Sequence, residues 1–322
     1  MKPLRRLLDG ASGERRRDLE VLLCHVLGKS RAWLYSHGDE ALPGVAARQL
    51  DTLLPRLSAG EPVAYLIGHK EFWGLPLFVS DAVLIPRPET ELLVELALNR
   101  LPHRGTVLDL GTGSGAIAIA MRSERSDCQV TACDVSAAAL SIARANAQRH
   151  TLDITFCEGD WCSGLASFDL ILSNPPYISA DDPHLPDLRF EPSLALIAGV
   201  DGLDAIRRIT AQAPSHLNAK GHLIIEHGFD QGPAVRALFV AAGLRGLPRS
   251  PIWRGASVLR SARNERRSTA SLQSSDHVAA DRCGGSAAPA RCARTDRGAR
   301  WTRLARCVVS RSRRCGPAGT RR

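Results

Sequence analysis

No stretch of the 322-residue chain approaches the ~18 consecutive apolar residues that a membrane-spanning helix needs. Arg5 and Arg6 are not followed by an apolar core with a small-residue cleavage site, so the expected location is the cytoplasm. Lysine is absent from residues 261–322, which hold 15 Arg against four acids (Glu265, Asp276, Asp281, Asp296), a net of +11. The whole chain nets +9, so residues 1–260 net −2. The electrostatic footprint of a DNA or RNA binder is therefore missing from the first 260 residues. Histidines at finger-like spacing are missing too. Cys128/Cys133 and Cys157/Cys162 each enclose four residues, but without such histidines the nine cysteines read as reduced thiols and no metal is expected. No Ser/His/Asp or Cys/His set for nucleophilic catalysis is present either. What remains is an ordinary globular composition, 44% hydrophobic and 23% charged, with chain enough for two domains.

Leu19, Leu22, Leu23, Val26 and Leu27 follow helical spacing, as do Leu50, Leu53, Leu54 and Leu57. Residues 1–62 thus read as a small helical domain. Residues 63–88, richer in aromatic and β-branched side chains with turn signals at Gly68, Gly74 and Pro76, read as a hairpin linker. From residue 89 to about 260 helix and strand alternate. Helices are expected at 89–100, 116–123, 136–149, 203–217 and 234–242, and strands at 106–110, 129–134, 154–157, 168–173 and 222–226. Such alternation specifies an α/β, doubly wound, mostly parallel sheet whose ligands bind beyond the carboxyl ends of the strands. Beyond residue 261 periodicity vanishes and a disordered Arg-rich tail is expected.

Asp109-Leu110-Gly111-Thr112-Gly113-Ser114-Gly115 follows the first of these strands and opens a helix. Gly111, Thr112, Gly113, Ser114 and Gly115 let backbone N–H groups approach a ligand, and Asp134, ending the next strand, can accept from a ribose diol. Gly111, Gly113 and Ala116 also satisfy the dinucleotide pattern, which keeps an NAD-dependent oxidoreductase in view. Two features favour S-adenosylmethionine. Asp109 suits a ligand bearing an ammonium and a sulfonium better than a pyrophosphate. Asp160 and Trp161, after the third strand, can accept from an adenine amino group and pack on its ring.

The fourth strand runs into Asn174-Pro175-Pro176-Tyr177. An amide or aromatic amino nitrogen is a poor nucleophile because its lone pair is delocalised. The Asn174 side-chain oxygen and the Pro175 carbonyl could accept its two N–H bonds and push density onto nitrogen. The prolines stiffen the loop, and Tyr177 would cover the flat face of the group. The loop reads as catalytic and substrate-binding for methyl transfer to a planar nitrogen.

Gly60-Glu61-Pro62, Glu71-Phe72-Trp73-Gly74, Ile85-Pro86-Arg87-Pro88-Glu89-Thr90-Glu91, Asp109 to Gly115, Asn174 to Tyr177, Arg189-Phe190-Glu191-Pro192 and Glu226-His227-Gly228 together resemble the HemK/PrmC family. Those methyltransferases modify the glutamine of the Gly-Gly-Gln motif in bacterial peptide chain release factors. The resemblance covers roughly residues 15–247. It implies a helical domain that docks the protein substrate and a class I, seven-stranded methyltransferase domain. S-adenosylmethionine would contact Gly111 to Gly115, Asp134, Trp161 and Asn174, and the substrate glutamine Asn174 to Tyr177. It also implies a release factor as partner. Nothing in the sequence suggests an obligate assembly, so a cytoplasmic monomer that needs neither nucleic acid nor membrane is expected. Arg87 and Glu89 fit a salt-bridged helix start slightly better than a place at the active-site mouth.

The resemblance ends before the chain does. Where the family has Arg-Asp-Leu-Ala-Gly, this chain has Ser250-Pro251-Ile252-Trp253-Arg254-Gly255-Ala256-Ser257. Back-translated with GC-rich codons, part of it reads Asp-Leu-Ala-Gly-Arg-Glu in a neighbouring frame. A frameshift near residues 247–251 would replace the last strands and append the tail; an intact gene frame with this tail in the protein's mass excludes it. Two further readings stay open: a DNA adenine amino-methyltransferase using the same loop, and a non-enzymatic nucleic-acid binder acting through the tail.

Overall fold

The leucine spacing of the N-terminal region produces α1 (Leu4–Leu8), α2 (Gly13–Leu27), α3 (Arg31–Ser36) and α4 (Gly44–Ser58). These belong to a computed structural model that describes residues 3–244 and the backbone of residues 260–263. Leu22, Leu23, Leu34 and Leu50 are buried among them and form a core of their own. Glu20 is also buried, receiving Tyr35 Oη at 2.6 Å, Arg16 and Arg31.

Residues 63–67, grouped above with the hairpin, are helical instead: α5 (Val63–Ile67) puts Leu66 into the same core. Pro62 precedes the helix with its φ already near the helical value, and Gly68 ends it in the left-handed region. The hairpin proper is β1 (His69–Phe72) and β2 (Leu75–Phe78), antiparallel, with Phe72 opposite Leu75.

The larger sheet has the order β5-β4-β3-β6-β7-β8. Its strands are β3 (Thr106–Leu110), β4 (Gln129–Asp134), β5 (Thr155–Glu158), β6 (Phe168–Ser173), β7 (Leu217–Ile225) and β8 (Arg260–Arg263). The first five are parallel, and β8 pairs antiparallel with β7. Side chains alternate between two cores, one on each face. Val107, Leu170, Leu172 and Ile224 pack with α6 (Glu91–Leu98) and α7 (Ala116–Glu124). Leu108, Leu110, Ile171, Leu223 and Ile225 pack with α9 (Asp204–Gln212) and α10 (Gly232–Ala241). Helix α8 (Ala137–Arg149), capped by the Ser136 hydroxyl, lies over β4 and β5. No described helix is long and apolar enough to cross a membrane.

Several boundaries differ from the sequence reading. Residues 88–90 form a 3-10 turn before α6, because proline opens them. Helix α9 stops at Gln212, where Pro214 ends regular helix, and β7 begins at Leu217 rather than at 222. Finally, Arg260–Arg263 straddles the expected start of the unstructured tail and forms an edge strand antiparallel to β7. Edge pairing is made by backbone groups, so a sequence of unrelated character can provide it. The expected frameshift point, a seventh strand and the rest of the tail lie outside the described residues.

Candidate active site

The order of the sheet reverses at β3, with β4 on one side and β6 on the other, and a cleft of about 570 Å³ opens at the carboxyl ends of these strands. Register explains the gathering. Leu110 lies opposite both Cys133 and Ser173, so the residues that follow (Gly111, Asp134 and Asn174) emerge at one level. Gly111, Thr112, Gly113, Ser114, Asp134, Asp160, Trp161, Asn174 and Pro176 all line the cleft, joined by Phe72, Thr90, Arg87 and Arg208.

The glycine turn is held by its neighbours. The N–H groups of Gly111 and Thr112 donate to the Cys133 carbonyl at 2.9 and 3.0 Å, and Gly113 N–H donates to Asp134 Oδ2 at 2.9 Å. Asp134 Oδ1 accepts from Ser136 N–H at 2.9 Å. Each carboxylate oxygen thus carries one backbone bond and keeps a lone pair. Gly115 does not line the cleft. Its φ is +84°, and a Cβ there would sit 3.2 Å from that of Ala143, so it serves the close approach of α7 to α8.

Asp109 lies beneath the turn, fully buried, and does not line the cleft either. Its Oδ2 accepts from the Thr112 hydroxyl at 2.6 Å and from Ala118 N–H at 3.2 Å. Oδ1 is buried without a hydrogen-bond partner among the described residues. Burial outweighs those two bonds, and its pKa is pushed up to about 7. Trp161 places its ring 3.7 Å from the point a Gly111 Cβ would occupy, and its buried Nε1 likewise has no partner among the described residues. Asp160 is engaged by the Arg208 guanidinium from α9. Cys133 and Cys157 are register neighbours whose thiols face main-chain carbonyls, and burial raises Cys162 to about 12.

At the end of β6, Asn174 Nδ2 donates to Thr90 Oγ1 at 3.1 Å. Pro175 is buried, and neither it nor Tyr177 lines the cleft. Tyr177 packs against the α9/α10 core with its hydroxyl 3.3 Å from Glu226 Oε1, while Gln231 Nε2 donates to the Tyr177 carbonyl at 3.0 Å.

The PrmC N-terminal domain model matches residues 2–68, and the methyltransferase small domain model matches residues 88–185. A release factor glutamine methyltransferase of Xylella fastidiosa is 55% identical over 234 residues, 70% of this chain and 85% of that protein. One from Escherichia coli is 50% identical over 239 residues, 72% and 86% of the two chains. This chain belongs to the release factor glutamine methyltransferase family.

In this family member the motif stretches, scattered through the sequence, form one connected frame. Gly60, at φ +91°, leaves room for the Arg189 guanidinium, which a Cβ would meet at 2.9 Å; Arg189 donates to the Ala59 carbonyl at the end of α4. Glu61 takes a two-pronged bond from Arg56. Glu191, buried, accepts Ile85 N–H at 3.0 Å and the Arg87 guanidinium. Arg87 is therefore ion-paired across the cleft wall rather than along its own helix start, and Glu89 is exposed. Thr90 and Arg208 received no role from the sequence. Thr90 stood inside a recognised run, but its partner lies 84 residues away; Arg208 carries no local signal at all.

Proposed function

We propose that this protein transfers a methyl group from S-adenosylmethionine to the side-chain amide nitrogen of the Gly-Gly-Gln glutamine of bacterial release factors. The observation that carries the reading is the Asn174-Pro175-Pro176-Tyr177 loop at the end of β6, with Asn174 and Pro176 lining the same cleft as the Gly111–Ser114 turn. The residues present fit the cofactor. Asp109 Oδ1 and Trp161 Nε1 are buried polar atoms without partners among the described residues, and the volume suits a nucleoside-sized ligand. Gly111 to Ser114 would take the amino-acid end through backbone N–H groups, Asp134 the ribose diol, and Trp161 the adenine ring. S-adenosylmethionine supplies a methyl group made electrophilic by its sulfonium.

This chain's part is to hold and polarise the acceptor. The Asn174 oxygen and the Pro175 carbonyl would accept the two amide N–H bonds, raising electron density on nitrogen and aligning it for in-line attack. The nitrogen sheds its proton after the bond forms, so no strong base is needed during attack. Tyr177, which packs against the α9/α10 core rather than on the cleft, would have to swing out to cover the amide plane. The helical N-terminal domain would dock the release factor, the enzyme acting as a cytoplasmic monomer that needs no nucleic acid.

The test is mass spectrometry of a release factor before and after incubation with enzyme and cofactor. One methyl group on the Gly-Gly-Gln glutamine is expected, and Asn174→Ala should lower the rate by about a hundredfold or more. Methylation of DNA adenine instead, or transfer indifferent to Asn174→Ala, would overturn the reading.

A further inference from the structure

We infer that Thr90 is a positioning residue for methyl transfer, acting through Asn174. The inference rests on the role proposed for that asparagine and adds the residue that holds it in place.

An asparagine at the end of a strand can rotate about its Cβ–Cγ bond, and a rotated amide no longer points an oxygen at the acceptor N–H. Thr90 opposes that rotation. Its hydroxyl lies 3.1 Å from Asn174 Nδ2, and its side chain is buried at the cleft wall. Accepting from Nδ2, the Thr90 hydroxyl fixes the amide plane and makes the oxygen the end turned away from it, where it can meet the substrate N–H.

Thr90 is itself fixed from both sides. Upstream, the buried Glu191 carboxylate accepts Ile85 N–H at 3.0 Å and grips the Arg87 guanidinium, and Thr90 N–H returns to the Arg87 carbonyl at 3.1 Å. Downstream, Glu91 Oε1 accepts Trp73 N–H at 2.9 Å. The polar side chains of Arg87, Thr90 and Glu91 are thus each committed: two anchor the segment, and the one between them reaches the catalytic loop. This division of labour accounts for a dense polar run at the start of α6, where helix formation alone would not need it.

The experiment compares Thr90→Val, which keeps the shape and removes the hydroxyl, with Thr90→Ser, which keeps the hydroxyl. With a release factor as substrate, Thr90→Val should lower kcat by about ten- to a hundredfold, the scale of a small misplacement of a catalytic group. KM for the release factor should change by no more than a few-fold. Thr90→Ser should restore most of kcat. Calorimetric affinity for S-adenosylmethionine and the thermal midpoint should match wild type in both. Thr90→Ala, which cannot overpack, carries the same expectation if the valine variant folds poorly. Wild-type kcat in Thr90→Val overturns the inference and leaves the proposed function standing. So does loss of cofactor affinity with kcat unchanged at saturation, which would assign Thr90 to the cofactor. No transfer by the wild-type enzyme overturns the function and this role with it.

Discussion

Asp109 concentrates the residue-scale chemistry. A carboxylate buried under a glycine turn, with one oxygen bonded twice and the other without a partner among the described residues, is held protonated up to about pH 7. The sign of the linkage follows. Between the ordinary carboxylate pKa near 4 and about 7, the folded chain binds a proton that the unfolded chain lacks. The stability this group contributes is therefore complete at low pH and lost as pH rises through about 7. Cofactor binding should run the other way, because an ammonium group favours the ionised form. Affinity for S-adenosylmethionine should climb up to about tenfold per pH unit below 7 and level off above it, and Asp109→Asn should flatten the slope. Calorimetry across that range checks it; a flat wild-type profile would remove Asp109 from the cofactor's environment. The strand-end positions of Asp109, Asp134 and Asn174 were legible in the sequence, because there position along the chain predicts position in the sheet; that Asp109 lies beneath the cleft rather than on it was not.

At the scale of elements, Asn146 ties three pieces together. From the buried face of α8 it donates to the Phe78 carbonyl at 3.0 Å and the Ser114 carbonyl at 2.9 Å, and it accepts Phe78 N–H at 2.6 Å. One side chain thus fastens the hairpin and the glycine turn to the same helix. Asn146→Ala leaves those backbone groups unpaired, and urea unfolding should show a loss of about 2–3 kcal/mol, with weaker cofactor binding. An unchanged unfolding midpoint would contradict this account. Nothing in the sequence singled out Asn146, since a polar residue on a helix reads as solvent-facing until the hairpin covers it. The same blindness put 63–67 in the wrong element. Val63 and Ile67 carry strand propensity, and the leucine core against which α5 packs overrides it.

For the whole molecule, the consequence lies in how the helical region is coupled to the catalytic loop. Arg189, stacked 4.7 Å from the Phe190 ring, reaches the carbonyl that closes α4, and the neighbouring Glu191 grips the segment leading to Thr90. Arg189→Ala should raise KM for the release factor by roughly five- to tenfold, the order of one solvent-exposed hydrogen bond, with cofactor affinity unchanged. Steady-state kinetics with varied release factor test this, and an unaltered KM would show that the latch does not serve docking.

The sequence by itself determined the class of fold, the order of its strands and helices, and the loops at which chemistry could occur. Period-two and period-3.6 patterns are local, and the strand-end rule of doubly wound sheets is general. Only the tertiary structure decided which side chain holds which. Thr90 with Asn174, Glu191 with Arg87, Asn146 with Phe78 and Arg189 with Ala59 are pairings across 68 to 130 residues. Those contacts exist because strand register brings distant ends to one level and helix packing turns particular faces inward. Neither is written in the spacing of residues along the chain.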